Sequence, residues 1–268
     1  MTRLTIREKQ GKQTVRETRL PAPPDDIDAT RAAFFLDFDG TLAEIVDDPA
    51  TARVDDGVLS VLATLQDLCG GALAIVSGRE IADLDRRLSP LRMAAAGVHG
   101  LEWRMPDGLI SRAKTDDGAL ADVHGEAGRI ASRHAGMVLE VKSGSLSLHY
   151  RMCPDMAPVS LAFAHDIRQR FPSIHVVEGK MVVEFKASAR TKGDALASFM
   201  ARPPFAGRLP VFAGDDTTDE AGFSQIDAWN GISIKIGSGA TRARYRLMHP
   251  AALHDWLAGL AKGACEPC

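Results

Sequence analysis

Residues 37–41 (DFDGT) place two carboxylates, Asp37 and Asp39, two positions apart. Because side chains in an extended backbone repeat every second residue, both carboxylates point the same way. At a separation of a few ångströms they repel each other by up to about 4 kcal/mol in an effective dielectric of 20, so such a pair calls for a cation or a proton between its members. The alternative is a plain turn, in which Asp39 and Gly40 end a strand.

A second acidic segment lies at residues 214–220 (GDDTTDE) and carries Asp215, Asp216, Asp219 and Glu220. Magnesium prefers oxygen ligands and takes few protein carboxylates, so this segment predicts part of a site for a hard cation. The alternative is a helix N-terminus, where acidic side chains complement the helix dipole. Asp219 and Glu220 suit that alternative, whereas Asp215 and Asp216 precede the helix and fit the metal site better.

Two further short motifs could bind a phosphate. In residues 77–79 (SGR), Ser77 and Gly78 offer a hydroxyl and backbone N–H groups at the start of a predicted helix, which is a ready anion site. An ordinary helix cap is the alternative. Residues 191–193 (TKG) put a lysine at a helix start, where its charge opposes the helix dipole. Lys192 therefore calls for an anionic partner, either a phosphate or a carboxylate, unless it is an ordinary solvated lysine.

The elements that position these motifs alternate between strands and helices. Apolar runs predict strands covered on both faces, at Ala33–Leu36, Ala72–Val76, Met93–Ala96, Leu209–Ala213 and Ile232–Ile236. Apolar residues at helical spacing predict helices at Val58–Leu68, Glu80–Leu88, Thr191–Met200, Thr218–Trp229 and Ala251–Ala261. This alternation predicts an α/β, Rossmann-like core with a parallel sheet. Each motif then lies at a strand end or a helix start, where such sheets bind ligands.

The pattern changes between residues 105 and 186. Helices are predicted at Ala119–His134 and Pro158–Phe171, and strands at Met137–Lys142, Ser145–Tyr150, Ile174–Val177 and Met181–Phe185. Short polar breaks between these strands favour antiparallel hairpins. We therefore divide the chain into a polar N-terminal tail (1–30), a Rossmann-like core (31–104 and 187–268) and an inserted α+β domain (105–186). We expect the tail to be mobile.

The bulk composition is that of an ordinary soluble protein, with 25% charged residues among 268. A formal net charge of −3 gives no reason to expect nucleic acid or an anionic membrane as a partner. The N-terminus lacks the apolar stretch of a secretory signal, and the scattered cysteines indicate a reducing, cytoplasmic setting. Cys265 and Cys268 form a C-x-x-C without a second ligand pair, so we assign them neither a metal nor a redox role.

The four motifs, in this order, resemble those of the haloacid dehalogenase (HAD) superfamily, over most of residues 30–250. The insert between the second and third motifs corresponds to that superfamily's large α+β cap, of the C2 type. A narrower set of matches resembles the trehalose-6-phosphate phosphatase family, at residues 36–42, 77–79, 97–100, 140–143, 147–151, 179–184, 192–193 and 214–220. Phe38 departs from the tyrosine common there, but it leaves both carboxylates in place.

The resemblance implies a role for each core residue. Asp37 is implied as the nucleophile that forms an aspartyl-phosphate, and Asp39 as the general acid that protonates the sugar oxygen and later activates water. Mg²⁺ is implied at the Asp37 carboxylate, the Asp39 backbone carbonyl and Asp215, with Asp216 and Asp219 supporting these groups. The residues implied to bind the phosphoryl group are Ser77, Gly78, Lys192 and Thr41.

Charged residues of the cap are implied in sugar recognition. Glu140 and Lys142 lie two residues apart on one predicted strand and so face the same way, and Glu184 repeats the pattern on another strand. By the resemblance, these three bind sugar hydroxyls, while Arg151 and Lys180 contact the phosphate from above. Without the resemblance, each would be a solvent-facing charge on a sheet.

The implied function is hydrolysis of trehalose 6-phosphate to trehalose and phosphate in trehalose biosynthesis. One alternative is a phosphatase of the same superfamily that acts on another sugar phosphate, such as sucrose phosphate or a glucosyl- or mannosyl-phosphoglycerate. A second alternative is a non-catalytic sugar-phosphate sensor, against which the presence of both Asp37 and Asp39 argues. We expect a monomer whose partner is a small-molecule sugar phosphate, with neither nucleic acid nor membrane involved.

Overall fold

The structure is a computed structural model, and it describes residues 20–46, 51–142, 144–179 and 181–263. In chain order, the strands of these residues are β1 Ala32–Leu36, β2 Leu73–Val76, β3 Ala94–Gly97, β4 Glu102–Arg104, β5 Ile110–Arg112, β6 Val138–Lys142, β7 Ser145–His149, β8 His175–Gly179, β9 Val182–Lys186, β10 Leu209–Gly214, β11 Ile232–Ile236 and β12 Tyr245–Leu247. Their α-helices are α1 Asp56–Leu68, α2 Ile81–Arg87, α3 Asp117–Arg133, α4 Ala157–Arg170, α5 Lys192–Met200, α6 Glu220–Ala228 and α7 Pro250–Gly263. None of the helices in these ranges has the length and apolar character needed to cross a bilayer.

The core sheet of the described residues has eight strands, in the order β12-β11-β10-β1-β2-β3-β4-β5. Neighbouring strands from β12 to β3 pair in parallel, whereas β4 and β5 are added antiparallel. The central strand β1 (AAFFL) is buried throughout, as expected for a strand covered on both faces. The predicted α/β core with a mainly parallel sheet is therefore confirmed.

Aromatic side chains pack the core around β1. Phe35 of β1 stacks on Phe205 with ring centroids 5.4 Å apart, and Phe199 of α5 packs against both rings. Full burial of a side chain of this size stabilises the fold by about 1.5–3 kcal/mol. These contacts fix β1, and therefore the carboxyl edge of the sheet, against α5.

The inserted domain has a sheet of its own, in the order β6-β7-β9-β8 with antiparallel pairing throughout. Helices α3 and α4 cover one face of it and form a separate hydrophobic cluster, in which Phe163 packs on Phe185 at 5.2 Å. The opposite face carries mainly polar side chains, with Val138, Val177 and Val182 among them. The predicted α+β cap is confirmed, since a second core built from local elements is what an independent cap requires.

Three short strands were not predicted, namely β4, β5 and β12. Strand β5 lies within the range predicted for the cap, yet it pairs with β4 and so extends the core sheet. The exact boundary stays a prediction, and we propose that the cap begins after Arg112. Strand β12 pairs with β11 at the other edge of the sheet. Each of the three has only three residues, which is too few to show a period.

The last part of the predicted N-terminal tail packs against the core. Pro23 is buried, the indole N–H of Trp256 donates to the carbonyl of Pro24 at 2.8 Å, and the N–H of Arg246 donates to the carbonyl of Pro21. Prolines keep their carbonyl acceptors although they lack an N–H, so this segment can be fixed without joining the sheet. The expectation of a mobile tail fails for these residues, and residues 1–19 lie outside the described part.

Candidate active site

The candidate active site lies at the carboxyl edge of three neighbouring parallel strands. Asp37 follows β1 directly, Ser77 follows β2, and Asp215 follows β10. The pairing register aligns Leu36, the last residue of β1, with Ala213 near the end of β10. The structure thus brings the first, second and fourth motifs to one edge, where parallel sheets bind ligands.

Asp37 is nearly enclosed, with 4% of its surface exposed. Its Oδ1 accepts a hydrogen bond from Lys192 Nζ at 2.8 Å, and its Oδ2 accepts one from Thr41 Oγ1 at 3.4 Å. Burial raises the pKa of Asp37 well above its ordinary value, and the carboxylates of Asp219 and Asp215 add to this effect against the opposing charge of Lys192. A further positive charge beside Asp37 would favour its ionised, nucleophilic form.

Lys192 joins the third motif to the first and the fourth. It begins α5, is 3% exposed, and donates a second hydrogen bond to Asp219 Oδ1 at 2.6 Å. Burial lowers the pKa of Lys192, but the charges of Asp37 and Asp219 outweigh burial and raise that pKa above its ordinary value. These carboxylates are the anionic partners that a lysine at a helix start calls for. Gly193 lets α5 approach α6, because a Cβ there would lie 2.9 Å from the carbonyl oxygen of Ala221.

Three carboxylates form a candidate cation site. Oxygen atoms of Asp37, Asp215 and Asp219 lie within 4.8 Å of one another. Asp215 Oδ1 is buried and has no hydrogen-bond partner among the described residues, so a cation would satisfy it. Gly40 permits this convergence, because a Cβ at its φ of +75° would lie 2.2 Å from Asp215 Oδ2. Lys192 balances part of the negative charge of these carboxylates. Their oxygen atoms are the kind of ligand that suits a hard divalent cation such as Mg²⁺.

The two acids predicted to support this site differ in their contacts. Asp219 is fully buried and binds Lys192, and its Oδ2 also accepts the N–H of Asp216 at 2.9 Å. Asp216 is exposed and lines the cleft, and its Oδ1 accepts the N–H of Thr217, so it caps the short 3₁₀ helix Thr217–Asp219. The structure therefore brings Asp219, but not the carboxylate of Asp216, into contact with Lys192.

Lys235 is a buried cation that the sequence analysis missed. It lies in β11, and its ammonium group donates to the backbone carbonyl of Asp215. Burial raises the pKa of Asp215, and the charge of Asp219 adds to this, whereas Lys235 opposes it. The available signal was a lysine inside the otherwise apolar run Ile232–Ile236, because a buried strand carries a charge only where a partner meets it.

The carboxylate of Asp39 is bound by Arg79. Both of its oxygens accept hydrogen bonds from the guanidinium, Oδ2 from Nε at 2.7 Å and Oδ1 from Nη2 at 2.6 Å. The sequence analysis assigned roles to Ser77 and Gly78 of the SGR motif and none to its arginine. An arginine next to a predicted phosphate site was the signal that could have found it, because a guanidinium binds carboxylate or phosphate with two parallel bonds.

Ser77 and Gly78 line the cleft just ahead of α2. Ser77 is buried; its N–H donates to the carbonyl of Ala96, and its Oγ accepts the N–H of Arg79 at 3.1 Å. The hydroxyl is thus fixed at the rim of the site, where it can donate its own hydrogen to an anion. Thr41 is buried behind Asp37, so in this structure it supports the carboxylate rather than forming the cleft wall.

A cleft of about 630 Å³ lies between the carboxyl edge of the core and the polar face of the cap sheet. Asp37, Asp39 and Lys192 line it from the core, and Glu140 and Lys142 line it from the cap. Small-molecule sites commonly have volumes of about 300–1,000 Å³. The cleft is therefore large enough for a sugar phosphate, with reactive groups at one wall and hydrogen-bonding groups at the other.

The polar cap face is built from every second residue of its strands. Lys142 Nζ lies 2.9 Å from Glu140, and His149 Nε2 lies 3.0 Å from the same carboxylate. Glu184 shares this face, because the register aligns Glu140 with Ser147 and Ser147 with Glu184. The three residues predicted to bind sugar hydroxyls, Glu140, Lys142 and Glu184, therefore lie on one face of one sheet.

The remaining cap residues are placed differently. Among the described residues, those lining the cleft include neither Glu184 nor Arg151. Arg151 is exposed in the turn that follows β7, and Glu184 forms a 3.1 Å ion pair with Lys186 of β9. Lys180 lies outside the described residues. Contact of Glu184 or Arg151 with a ligand in the cleft would therefore require movement of these side chains or of the cap.

Fold and site together define a class, the phosphatases of the HAD superfamily. A phosphatase of that superfamily from Bacteroides thetaiotaomicron shares the fold, with a TM-score of 0.55 at 13% identity over 87% of this chain and 93% of that one. The trehalose-6-phosphate phosphatase of Aspergillus fumigatus matches with a TM-score of 0.72 at 25% identity, over 91% of this chain and 99% of that one.

Within that class, the model of the trehalose-phosphatase family matches residues 35–251. The trehalose-6-phosphate phosphatase of Escherichia coli K12 is 39% identical over 229 residues, which cover 85% of this chain and 86% of the relative. The chain therefore belongs to the trehalose-phosphatase family, and its enzymatic class is that of the phosphoric monoester hydrolases. The family predicted from the motifs is confirmed.

Proposed function

We propose that this protein hydrolyses trehalose 6-phosphate to trehalose and phosphate, by way of a phosphorylated Asp37. The observation that carries the proposal is the convergence of Asp37, Lys192 and Asp215 at one sheet edge, across a cleft from the polar face of the cap. The curated relative from Escherichia coli is named for this substrate. Family membership supports the reaction type, and the cap face supports a sugar as the leaving group.

In the first step, Asp37 attacks phosphorus in line and the bond to the sugar oxygen breaks. Lys192 lies 2.8 Å from Asp37 Oδ1, so it is close enough to donate to a phosphoryl oxygen that approaches the same carboxylate. Ser77 and Gly78 supply a hydroxyl and backbone N–H groups on the cleft wall. Donors that are fixed before the substrate binds stabilise the developing charge without reorganisation.

Asp39 serves as the acid of the first step and the base of the second. It protonates the sugar oxygen as that oxygen departs, and it then takes a proton from the water that hydrolyses the phosphorylated Asp37. Such proton transfer contributes about 10²–10⁴ in rate, and an unprotonated sugar alkoxide is a poor leaving group. The Asp39 side chain is 45% exposed and lines the cleft, so it has room to turn toward a substrate.

The residues that would hold Mg²⁺ are Asp37 and Asp215, through their carboxylates, and Asp39, through its backbone carbonyl. When bound, the cation offsets the repulsion between an anionic nucleophile and a phosphate dianion. Asp219 orients this set by holding Lys192 at 2.6 Å and the Asp216 N–H at 2.9 Å. The orphaned Asp215 Oδ1 supports this assignment.

The cap selects the sugar in this proposal. Glu140 and Lys142 line the cleft, and their charged groups can donate to and accept from sugar hydroxyls. Glu184 lies on the same sheet face and would join them when the cap closes over the substrate. Arg151 and Lys180 are proposed to reach the phosphate from the cap side. We also propose that the protein works as a cytoplasmic monomer, which size-exclusion chromatography with light scattering would test.

Phosphate release from a panel of sugar phosphates tests the proposal. Trehalose 6-phosphate, sucrose phosphate and glucosyl-phosphoglycerate are each assayed with Mg²⁺ and, separately, with EDTA. We expect the highest kcat/KM for trehalose 6-phosphate and loss of turnover in EDTA that added Mg²⁺ restores. A preference for another ester of the panel would replace the substrate and keep the reaction. Binding of trehalose 6-phosphate without any phosphate release would instead indicate a sensor and contradict the proposal.

A further inference from the structure

Arg79 is fixed behind the proposed general acid by contacts on several sides. Two of its nitrogens bind both oxygens of Asp39, and a third, Nη1, donates to Asp83 Oδ2 at 2.7 Å. Its Cζ atom lies 5.4 Å from the centroid of the buried Phe38 ring, so the planar group packs over an aromatic face. The side chain is 13% exposed. A guanidinium held in this way has a defined position and orientation.

A second layer of charges fixes Asp83 itself. Arg86 Nη2 and Arg87 Nε each donate to it at 2.8 Å, and Arg87 also donates to the carbonyl of Ala52. Burial raises the pKa of Asp83, but the hydrogen bonds from Arg87 and Arg79 outweigh burial and lower that pKa to about 2. Asp83 is therefore ionised at neutral pH, and it anchors Arg79 to α2.

The bidentate bond between Asp39 and Arg79 restricts how Asp39 can donate a proton. A guanidinium has N–H donors and no acceptor, so it cannot accept the proton of a neutral carboxyl group. Both oxygens of Asp39 face such donors in this structure. A proton that Asp39 delivers to or accepts from the cleft therefore uses either the outward lone pair of an oxygen or an oxygen that has turned away from Arg79.

We propose that Arg79 is a positioning residue for Asp39 in both proton transfers. It keeps one carboxylate oxygen of Asp39, while the other oxygen turns to the departing sugar oxygen in the first step and to water in the second. Because Arg79 is fixed between Phe38 and Asp83, the Asp39 carboxylate can rotate only about the oxygen that Arg79 keeps. This inference rests on the acid and base role given to Asp39 in the proposed function.

The test compares three phosphate esters that differ in what their leaving groups need. Trehalose 6-phosphate and glycerol phosphate release alkoxides, which require a proton, whereas p-nitrophenyl phosphate releases a phenolate that departs without one. The quantity measured is kcat/KM, because it ends at phosphoryl transfer and so leaves out the later attack by water. The full chain is assayed as wild type, Arg79→Met and Arg79→Lys. The matched control is Arg244→Met, since Arg244 also pairs with an aspartate, Asp227, but lies outside both this network and the cleft lining.

We expect Arg79→Met to lower kcat/KM by about 10–100-fold on both alkyl esters and by less than about 3-fold on the aryl ester, because only the alkyl esters need the acid. Arg79→Lys, with a single donor point, should fall between wild type and Arg79→Met, and it carries the test if Arg79→Met does not fold. Arg244→Met should match wild type on all three esters.

Two outcomes would overturn the inference. An equal loss on all three esters would mean that Arg79 holds the phosphate or supports the fold, and a loss confined to trehalose 6-phosphate would mean that Arg79 contacts the sugar. Failure of the proposed function looks different from both. In that case wild type turns over glycerol phosphate but not trehalose 6-phosphate, and the comparison of alkyl with aryl esters still decides the role of Arg79.

Discussion

Replacing Lys192 by methionine removes the ammonium group that lies between Asp37 and Asp219 and leaves a side chain of similar length. All three side chains are nearly or fully buried, and the ammonium lies 2.8 Å from one carboxylate and 2.6 Å from the other. The variant would therefore keep two carboxylates in a buried site that has lost the charge compensating them. Loss of one partner from a buried ion pair costs about 3–5 kcal/mol.

Protonation sets an upper limit to this loss. The variant can neutralise a carboxylate instead of burying its charge, and for an ordinary aspartate this costs about 4 kcal/mol at pH 7 but about 1.5 kcal/mol at pH 5. We therefore expect Lys192→Met to lower the free energy of unfolding by about 3–4 kcal/mol at pH 7 and by about 1–2 kcal/mol at pH 5. The sign follows from linkage: a carboxylate whose pKa is raised in the folded state lowers stability as the pH rises.

Urea unfolding at pH 5, 7 and 8, with EDTA present to remove divalent cations, measures this loss. The matched control is Lys262→Met, which removes an exposed lysine near the end of α7 and should change stability by less than about 0.5 kcal/mol. A loss below about 1 kcal/mol at pH 7, or a loss that does not depend on pH, would show that Lys192 does not compensate the buried carboxylates.

Two further substitutions test the cap and the anchor. Glu184→Ala should lower kcat/KM far more for trehalose 6-phosphate than for p-nitrophenyl phosphate. The control is Glu178→Ala, on the helix-covered face of the same sheet, which should change kcat/KM for neither ester. Equal losses on both esters for Glu184→Ala would give Glu184 a structural role. Asp83→Asn should lower the free energy of unfolding by about 1–2 kcal/mol at pH 7, after allowance for solvent screening. The pKa of Asp83 in the folded protein is about 2. The difference in the free energy of unfolding between Asp83→Asn and wild type should therefore shrink as the pH falls from the ordinary aspartate pKa toward 2. If unfolding measured across this acid range shows a constant difference, the anchoring role of Asp83 is contradicted.

The fold could be predicted largely because its central strands are continuous apolar runs with polar motifs directly after them. The run AAFFL of β1 has both faces covered, and such runs alternate with helical periods, so the parallel sheet follows from the pattern. Once the sheet is parallel, the carboxyl ends of its strands must share an edge. The sequence alone therefore predicts that Asp37 and Asp215 lie at the same edge of the sheet.

Other features could not be predicted, because their causes lie in contacts between distant residues. Strand β5 is exposed along its whole length and owes its place to pairing with β4, which its own three residues do not encode. The bond from Arg79 to Asp39 spans 40 positions. Likewise, the segment around Pro24 has the sequence of a polar tail. It is held against the core by the hydrogen bond from the indole N–H of Trp256, which lies 232 positions away.

Transfer of phosphate to Asp37 is the step on which every other proposed role depends. Rapid mixing of the enzyme with trehalose 6-phosphate and Mg²⁺, followed by an acid quench and borohydride reduction, converts a phosphorylated aspartate to homoserine, which peptide mass spectrometry locates. We predict homoserine at position 37 in wild type and none in Asp37→Asn, which should also release no phosphate. Homoserine at another aspartate, or phosphate release by Asp37→Asn near the wild-type rate, would contradict the mechanism.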